Sequence, residues 1–142
     1  MHIQAVNLRV KDVEQSSQYY QDVLGFEQDF RHGGDDGKVM YASLKWGEAQ
    51  VMLSSLEDVA EAARPFTGAG VDILFNLEDR DIDAYYDQFK QKGAKILAEI
   101  EEKFWGHREF MIEDPDGYRL VFTKHVKDVD FSQWQQGAWS ES

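Results

Sequence analysis

One order of elements, a strand, a helix and then three strands, occurs twice along this chain, and that repetition constrains the fold more than any other feature. Residues 3–10 alternate, with Val6, Leu8 and Val10 on one side and Ala5, Asn7 and Arg9 on the other, the pattern of a strand packed on one face. Asp12 then sits where a helix N-cap belongs, with Gln15 at the capping-box position. Val13, Ser16, Tyr20 and Leu24 follow at helical spacing until Gly25 stops the helix. Strand candidates follow over residues 26–31, 39–46 and 49–54, separated by a Gly/Asp-rich turn over 32–37 and by the tight Gly47-Glu48 connection. The second pass begins with Val71, Ile73, Phe75 and Leu77 alternating along a strand. Asp81 precedes Ile82, Tyr85, Tyr86 and Phe89 at helical spacing, and Gly93 closes that helix. Residues 95–100, 108–112 and 119–124 supply three more strands. The last two flank Asp114-Pro115-Asp116-Gly117, whose Pro suits the second turn position and whose Gly accepts positive φ.

The chain thus reads as α+β, with two tandem βαβββ modules in one domain of 142 residues. Module one covers about residues 1–58, a linker about 59–70, module two about 71–124, and an aromatic tail 125–142. Ser55-Leu56-Glu57-Asp58 opens a short alanine-containing helix that Arg64-Pro65 and Gly68-Ala69-Gly70 end. The tail carries Phe131, Trp134 and Trp139, and docking on its own domain or a second subunit is the favoured expectation over a ligand-binding lid.

Charge and composition exclude several functions. With 15 Lys plus Arg against 27 Asp plus Glu, the net charge is -12, so no nucleic-acid partner is expected; a cationic partner is compatible, although solubility alone also explains the excess acid. No run reaches the ~18 apolar residues of a membrane span, and no basic-then-apolar start marks a secretory signal, so a cytoplasmic location and no membrane partner are expected. The absence of Cys removes disulfides, thiol catalysis and iron–sulfur clusters.

Two stretches carry a family resemblance. Val10-Lys11-Asp12-Val13 runs into Tyr19-Tyr20-Gln21-Asp22-Val23-Leu24-Gly25-Phe26, and Trp105-Gly106-His107-Arg108-Glu109-Phe110 runs into Asp114-Pro115-Asp116-Gly117. Together they resemble the vicinal oxygen chelate superfamily, which contains glyoxalase I, extradiol dioxygenases, fosfomycin-resistance enzymes and bleomycin-resistance proteins. The resemblance spans about residues 3–124 and implies a curved mixed sheet. In the enzymes, the concave face of that sheet holds a divalent metal through a His or carboxylate from each of four strands. Matched by motif offset, those positions are Ala5, Met52, about Asp72 and Val121. Ala and Val donate nothing, a thioether prefers soft ions, and one carboxylate does not fill a coordination sphere. No metal cofactor is therefore expected. A glyoxalase-like lyase or extradiol-type dioxygenase is the alternative, and it needs an atypical site, for which His107, Glu109 and Asp72 are the candidates. The Trp-Gly-x-Arg-Glu-Phe stretch before an Asp-Pro-x-Gly turn is similar to the metal-free bleomycin-resistance branch. That likeness implies an acidic homodimer that confers antibiotic resistance by sequestering a cationic organic molecule, without catalysis.

Strand parity places Asn7, Gln50, Met52, His107, Glu109, Met111 and Arg119, together with Ala5, Val121 and Thr123, opposite the helix-packed faces, and the curved sheet of the resemblance makes them one inner wall. With Trp105, the first seven are the expected ligand-binding residues, mixing thioethers and amides with a carboxylate, an imidazole and a guanidinium. Glu109 either meets a ligand cation or pairs across strands with Arg119, the second slightly favoured. His107 is a general-base candidate, but a lone His is more often a packing or surface residue. Trp46, Tyr41, Phe104 and Trp105 suit stacking on flat or cationic groups, and equally suit strand packing.

Overall fold

Outside the linker, each segment forms the type of element that its periodicity predicts. In the computed structural model, which describes residues 1–133, strand β1 (Val6–Val10) leads into helix α1 (Val13–Asp22), β2 (Glu27–Gly33), β3 (Val39–Trp46) and β4 (Ala49–Ser55). Module two repeats the order with β5 (Asp72–Asn76), α2 (Ile82–Gln91), β6 (Lys95–Glu102), β7 (His107–Glu113) and β8 (Arg119–His125). Both helices start on an aspartate cap. Asp12 Oδ1 accepts from the Gln15 N–H at 3.0 Å and Asp81 Oδ1 from the Ala84 N–H at 3.1 Å, each satisfying a donor the helix itself leaves unpaired.

The linker departs from the expected single helix. It forms two short 3-10 segments, Leu56–Asp58 and Glu61–Phe66, and Pro65 lies inside the second rather than ending a helix. Pro65 has no N–H to continue a helical ladder. The Arg64 guanidinium instead ties the segment down, donating to the Val59 and Glu57 carbonyls at 2.9 Å each.

The fold is α+β, and its β-structure comprises two mixed four-stranded sheets, ordered β1-β4-β3-β2 and β5-β8-β7-β6. In each, the first strand of the module runs parallel to the last and the remaining neighbours are antiparallel. The registers match module to module: Met52 stands between Asn7 and Ser43, as Val121 stands between Leu74 and Met111.

The helix-covered faces of both sheets contribute to one core, which includes Leu8, Val10, Leu44 and Leu53 from module one and Phe75, Phe110, Ile112 and Phe122 from module two. Phe26 meets Phe75 with ring centroids 5.7 Å apart, and Trp46 meets Tyr85 at 5.1 Å and Phe122 at 6.0 Å. Trp46 is thus a packing residue at the module junction. The β7–β8 turn makes the reciprocal contact with module one. The buried Tyr20 hydroxyl donates to Asp114 Oδ2 at 2.7 Å, while Asp114 Oδ1 accepts from the Asp116 and Tyr118 N–H groups at 2.9 Å. Burial, outweighing these hydrogen bonds, pushes the Asp114 carboxyl above its ordinary value. Burial and the Asp114 charge push the Tyr20 phenol well up, and the same two causes take Tyr19 up to about 12. With the helix-covered faces joined in this core, the opposite face of each sheet is left open.

Candidate functional site

Alternation along β7 divides the Trp-Gly-His-Arg-Glu-Phe stretch between two jobs. Arg108 and Phe110 face α2: the Arg108 guanidinium donates to both Asp83 oxygens, at 3.0 and 2.6 Å, and Phe110 is buried. This hydrogen-bonded pairing holds the Asp83 carboxyl below its ordinary value. His107, Glu109 and Met111 face the open side. Gly106 has φ +84°, and a Cβ there would collide with the Lys127 carbonyl oxygen. The Gly106 carbonyl accepts from the Val126 and Lys127 N–H groups at 2.8 and 3.1 Å, so the chain leaving β8 straps the turn that carries Trp105. Only glycine satisfies this close approach at positive φ.

A cavity of about 280 Å³ opens on this face, with Leu74, Ala98, Trp105, Glu109, Met111 and Val121 in its wall and Lys103 at its edge. Beside Asp72, which Arg119 takes up, Glu109 is the second carboxylate at the apolar floor. Its Oε2 accepts from the Thr123 hydroxyl at 2.7 Å and lies 3.4 Å from the Trp105 indole N–H. Because the buried Thr123 hydroxyl gives its proton to Glu109, its oxygen is left to accept from His107 Nδ1 at 2.8 Å. His107, Thr123 and Glu109 are therefore linked in series. The Trp105 ring stands edge-on to Phe104, centroids 4.7 Å apart, and the Lys103 ammonium lies 5.9 Å from the Trp105 ring centroid while paired with Glu101.

The expected cross-strand pair does not form. Glu109 stands opposite Thr123 on β8, whereas Arg119 stands opposite Glu113 and takes Asp72 as its partner, with contacts of 2.7 and 3.1 Å. Register decides this, since Glu109 and Arg119 are too far apart along the ladder to face each other.

The eight expected ligand-binding residues separate into two groups. Trp105, Glu109 and Met111 meet at the cavity, His107 joins through Thr123, and Arg119 stands beside it on Asp72. Asn7, Gln50 and Met52 belong to the open face of the other sheet. There Asn7 Oδ1 accepts from Ser54 Oγ at 2.8 Å, and Gln50 Nε2 donates to Ser43 Oγ at 2.9 Å. Leu74, Ala98 and Lys103 are wall residues that sequence reasoning misses. Leu74 alternates along a strand and is legible by parity, but the approach of Ala98 depends on an irregular β6–β7 register.

The family's metal-ligand positions do not fit a divalent ion. Val121 and Met52 occupy equivalent register positions on the two sheets, Ala5 lies just before β1, and the Asp72 carboxylate is engaged by Arg119. Asp72 lines the same cavity as Glu109 but is paired with Arg119 there. Among the described residues no three His, Cys, Asp or Glu side chains are placed to hold a metal. Nor is any helix among them long and apolar enough to cross a membrane. Of the aromatic tail, Phe131 begins a 3-10 turn and is exposed, while Trp134 and Trp139 lie outside the described residues.

Comparison with known proteins agrees with the fold. The sequence pattern of the Glyoxalase/Bleomycin resistance protein/Dioxygenase superfamily matches residues 2–122. An uncharacterised protein of Mycobacterium bovis is 25% identical over 140 residues, covering 95% of this chain and 91% of its own length. Among solved structures, TioX from Micromonospora sp. ML1 superposes with a TM-score of 0.70 at 22% identity, covering 89% of this chain and 100% of its own. TnmS3, described as an antibiotic binding protein from Streptomyces sp. CB03234, superposes with a TM-score of 0.66 at 20% identity, covering 89% and 97%. At these identities the structural likeness is one of fold.

Proposed function

Because the chain belongs to the Glyoxalase/Bleomycin resistance protein/Dioxygenase superfamily, we propose that it uses that scaffold to sequester a cationic, partly aromatic organic molecule on the open face of module two, without catalysis. One observation carries this reading: an oriented carboxylate, Glu109, stands beside a largely apolar cavity walled by Trp105 and Met111. Apolar area supplies affinity in such a site, and a few fixed polar groups set orientation. The Thr123 and Trp105 donors hold the carboxylate in place before a ligand arrives, which reduces the ordering cost of binding. The Trp105 ring, which already has the Lys103 ammonium near it, suits a second cationic or flat group. The antibiotic-binding description of TnmS3, a protein of the same fold, supports a drug-like ligand and a resistance role.

The protein acts in the cytoplasm as a homodimer in this proposal, a second copy closing the open cavity. The exposure of Leu74 on the module-two face, 62%, and of Tyr41 on the module-one face, 47%, supports a covering partner. The test is native mass spectrometry of the purified protein for oligomeric state and retained organic mass, followed by calorimetric titration with a bleomycin-type cationic glycopeptide. Trp105→Ala and Glu109→Gln are each expected to weaken binding about tenfold, ~1.4 kcal/mol, with the fold intact by circular dichroism. Unchanged affinity in both variants overturns this assignment of the site.

A further inference from the structure

A second cleft, of about 390 Å³, lies where β1 ends, the linker crosses and the 114–117 turn of module two approaches module one. Its wall concentrates positive charge in a protein whose net charge is -12: Arg9, Lys11 and Arg64 meet there, with Leu56 and Pro65 beside them. The partners of these cations leave much of that charge available. Arg9 is paired with Asp58 and donates to the Ser55 carbonyl at 3.2 Å. Arg64 gives its two hydrogen bonds to backbone carbonyls, which hold the linker without neutralising the guanidinium. Lys11 is held through its backbone, its N–H donating to Asp116 Oδ1 at 2.9 Å. Among the described residues no ion pair includes Lys11 or Arg64. Asp116 is the acidic group in the wall, and both its oxygens are occupied, the second by the Ser16 hydroxyl at 2.6 Å.

The walls are also fixed. The Tyr118 hydroxyl accepts from the Arg9 N–H at 3.0 Å and donates to the Arg9 carbonyl at 2.8 Å. Gly68 of the linker packs so closely on Tyr118 that a Cβ would stand 3.0 Å from the ring. We propose that this cleft is a binding site for a small oxyanion, the phosphate or carboxylate group of an organic molecule, held by Lys11, Arg64 and the free edge of Arg9. Guanidinium groups and an ammonium on a preformed wall are suited to an oxyanion, and Leu56 and Pro65 accept its apolar remainder. The site is separate from the Glu109 cavity and stands independently of the function proposed there.

The test is a titration of the full chain with inorganic phosphate and, separately, with succinate, followed by amide chemical shifts and compared with chloride at equal ionic strength. Saturable shifts confined to residues around Lys11, Arg64 and Thr67 are expected. A response to phosphate points to a phosphorylated ligand and a response to succinate alone to a carboxylate; either supports the site. Lys11→Gln, at an exposed position, is expected to weaken binding roughly threefold, and Arg64→Gln likewise, with Arg64→Lys recovering most of the loss. Shifts no larger than those in chloride, or affinity unchanged in a folded Lys11→Gln protein, overturn the proposal.

Discussion

The two modules share one topology and one register, yet their open faces carry opposite chemistry. Where module one has Asn7, Ser43 and Tyr41, module two has Leu74, Met111 and Glu109 at the equivalent register positions. On the first face, side chains hydrogen-bond one another, Ser54 to Asn7 and Gln50 to Ser43. The second has Leu74, Ala98, Met111 and Val121 around the Glu109 carboxylate, with Asp72 taken up by Arg119, and its wall includes the Trp105 turn strapped by residues 126–127. Duplication therefore supplied two equivalent surfaces, each with a cavity, and side-chain substitution gave them different linings: Arg9, Tyr41, Glu57 and Asp58 at the first, of about 250 Å³, and a largely apolar wall at the second.

The most disruptive way to break this contrast is to release the strap. Gly106→Val places a branched side chain at φ +84° against the Lys127 carbonyl, with an expected cost of about 3 kcal/mol in urea unfolding and loss of ligand binding at the Trp105 face. A midpoint equal to that of the wild type would show that the strap contributes nothing.

Next in size is the junction that keeps both faces open. Tyr20→Phe deprives the buried Asp114 carboxylate of its phenol donor and is expected to cost about 2 kcal/mol. The same junction predicts a pH dependence. The unfolded chain releases Tyr19 and Tyr20 protons near 10, whereas in the folded chain Tyr19 holds its proton to about 12 and Tyr20 is also raised. Between those values the folded state binds more protons, so the stabilisation, complete below 10, is lost as pH rises through the folded pKa values. Absorbance of phenolate should show three of the six tyrosines titrating late, Tyr19 and Tyr20 at the junction and Tyr118, which burial also raises. Titration of all six near 10 with the fold intact would refute the buried junction.

The smallest expected effect on stability comes from exchanging the faces directly. Leu74→Asn with Met111→Ser gives module two the residues of module one, and Leu74 is 62% exposed, so stability should change by less than ~1 kcal/mol. Affinity for a cationic aromatic ligand should nevertheless fall about tenfold in calorimetry. Retained affinity would mean that the apolar floor is not what holds the ligand.

Much of the fold is legible in the amino-acid pattern alone. The β3 bounds, residues 39–46, and the Asp12 cap follow from alternation and capping chemistry, which act over a few residues. The 114–117 segment is legible as a turn, but not as the clamp on Tyr20, 94 residues away. At the site, parity along β7 correctly separates Glu109 and Met111 from Phe110. It does not place Arg119 on Asp72, because cross-strand partners depend on register, and register depends on how whole strands pair.

What the sequence by itself determined was the twofold βαβββ plan, the faces along each strand and the unsuitability of Ala5, Met52 and Val121 as ligands of hard divalent ions, since periodicity and donor chemistry are properties of neighbouring or single residues. Only the tertiary structure decided that the expected wall divides between two sheets, that Trp46 is packed at the junction while Trp105 borders a cavity, and that Arg9, Lys11 and Arg64 share a cleft. Those outcomes depend on packing between segments tens of residues apart. Local pattern constrains which face a side chain takes, but the face it meets is set by the assembled core.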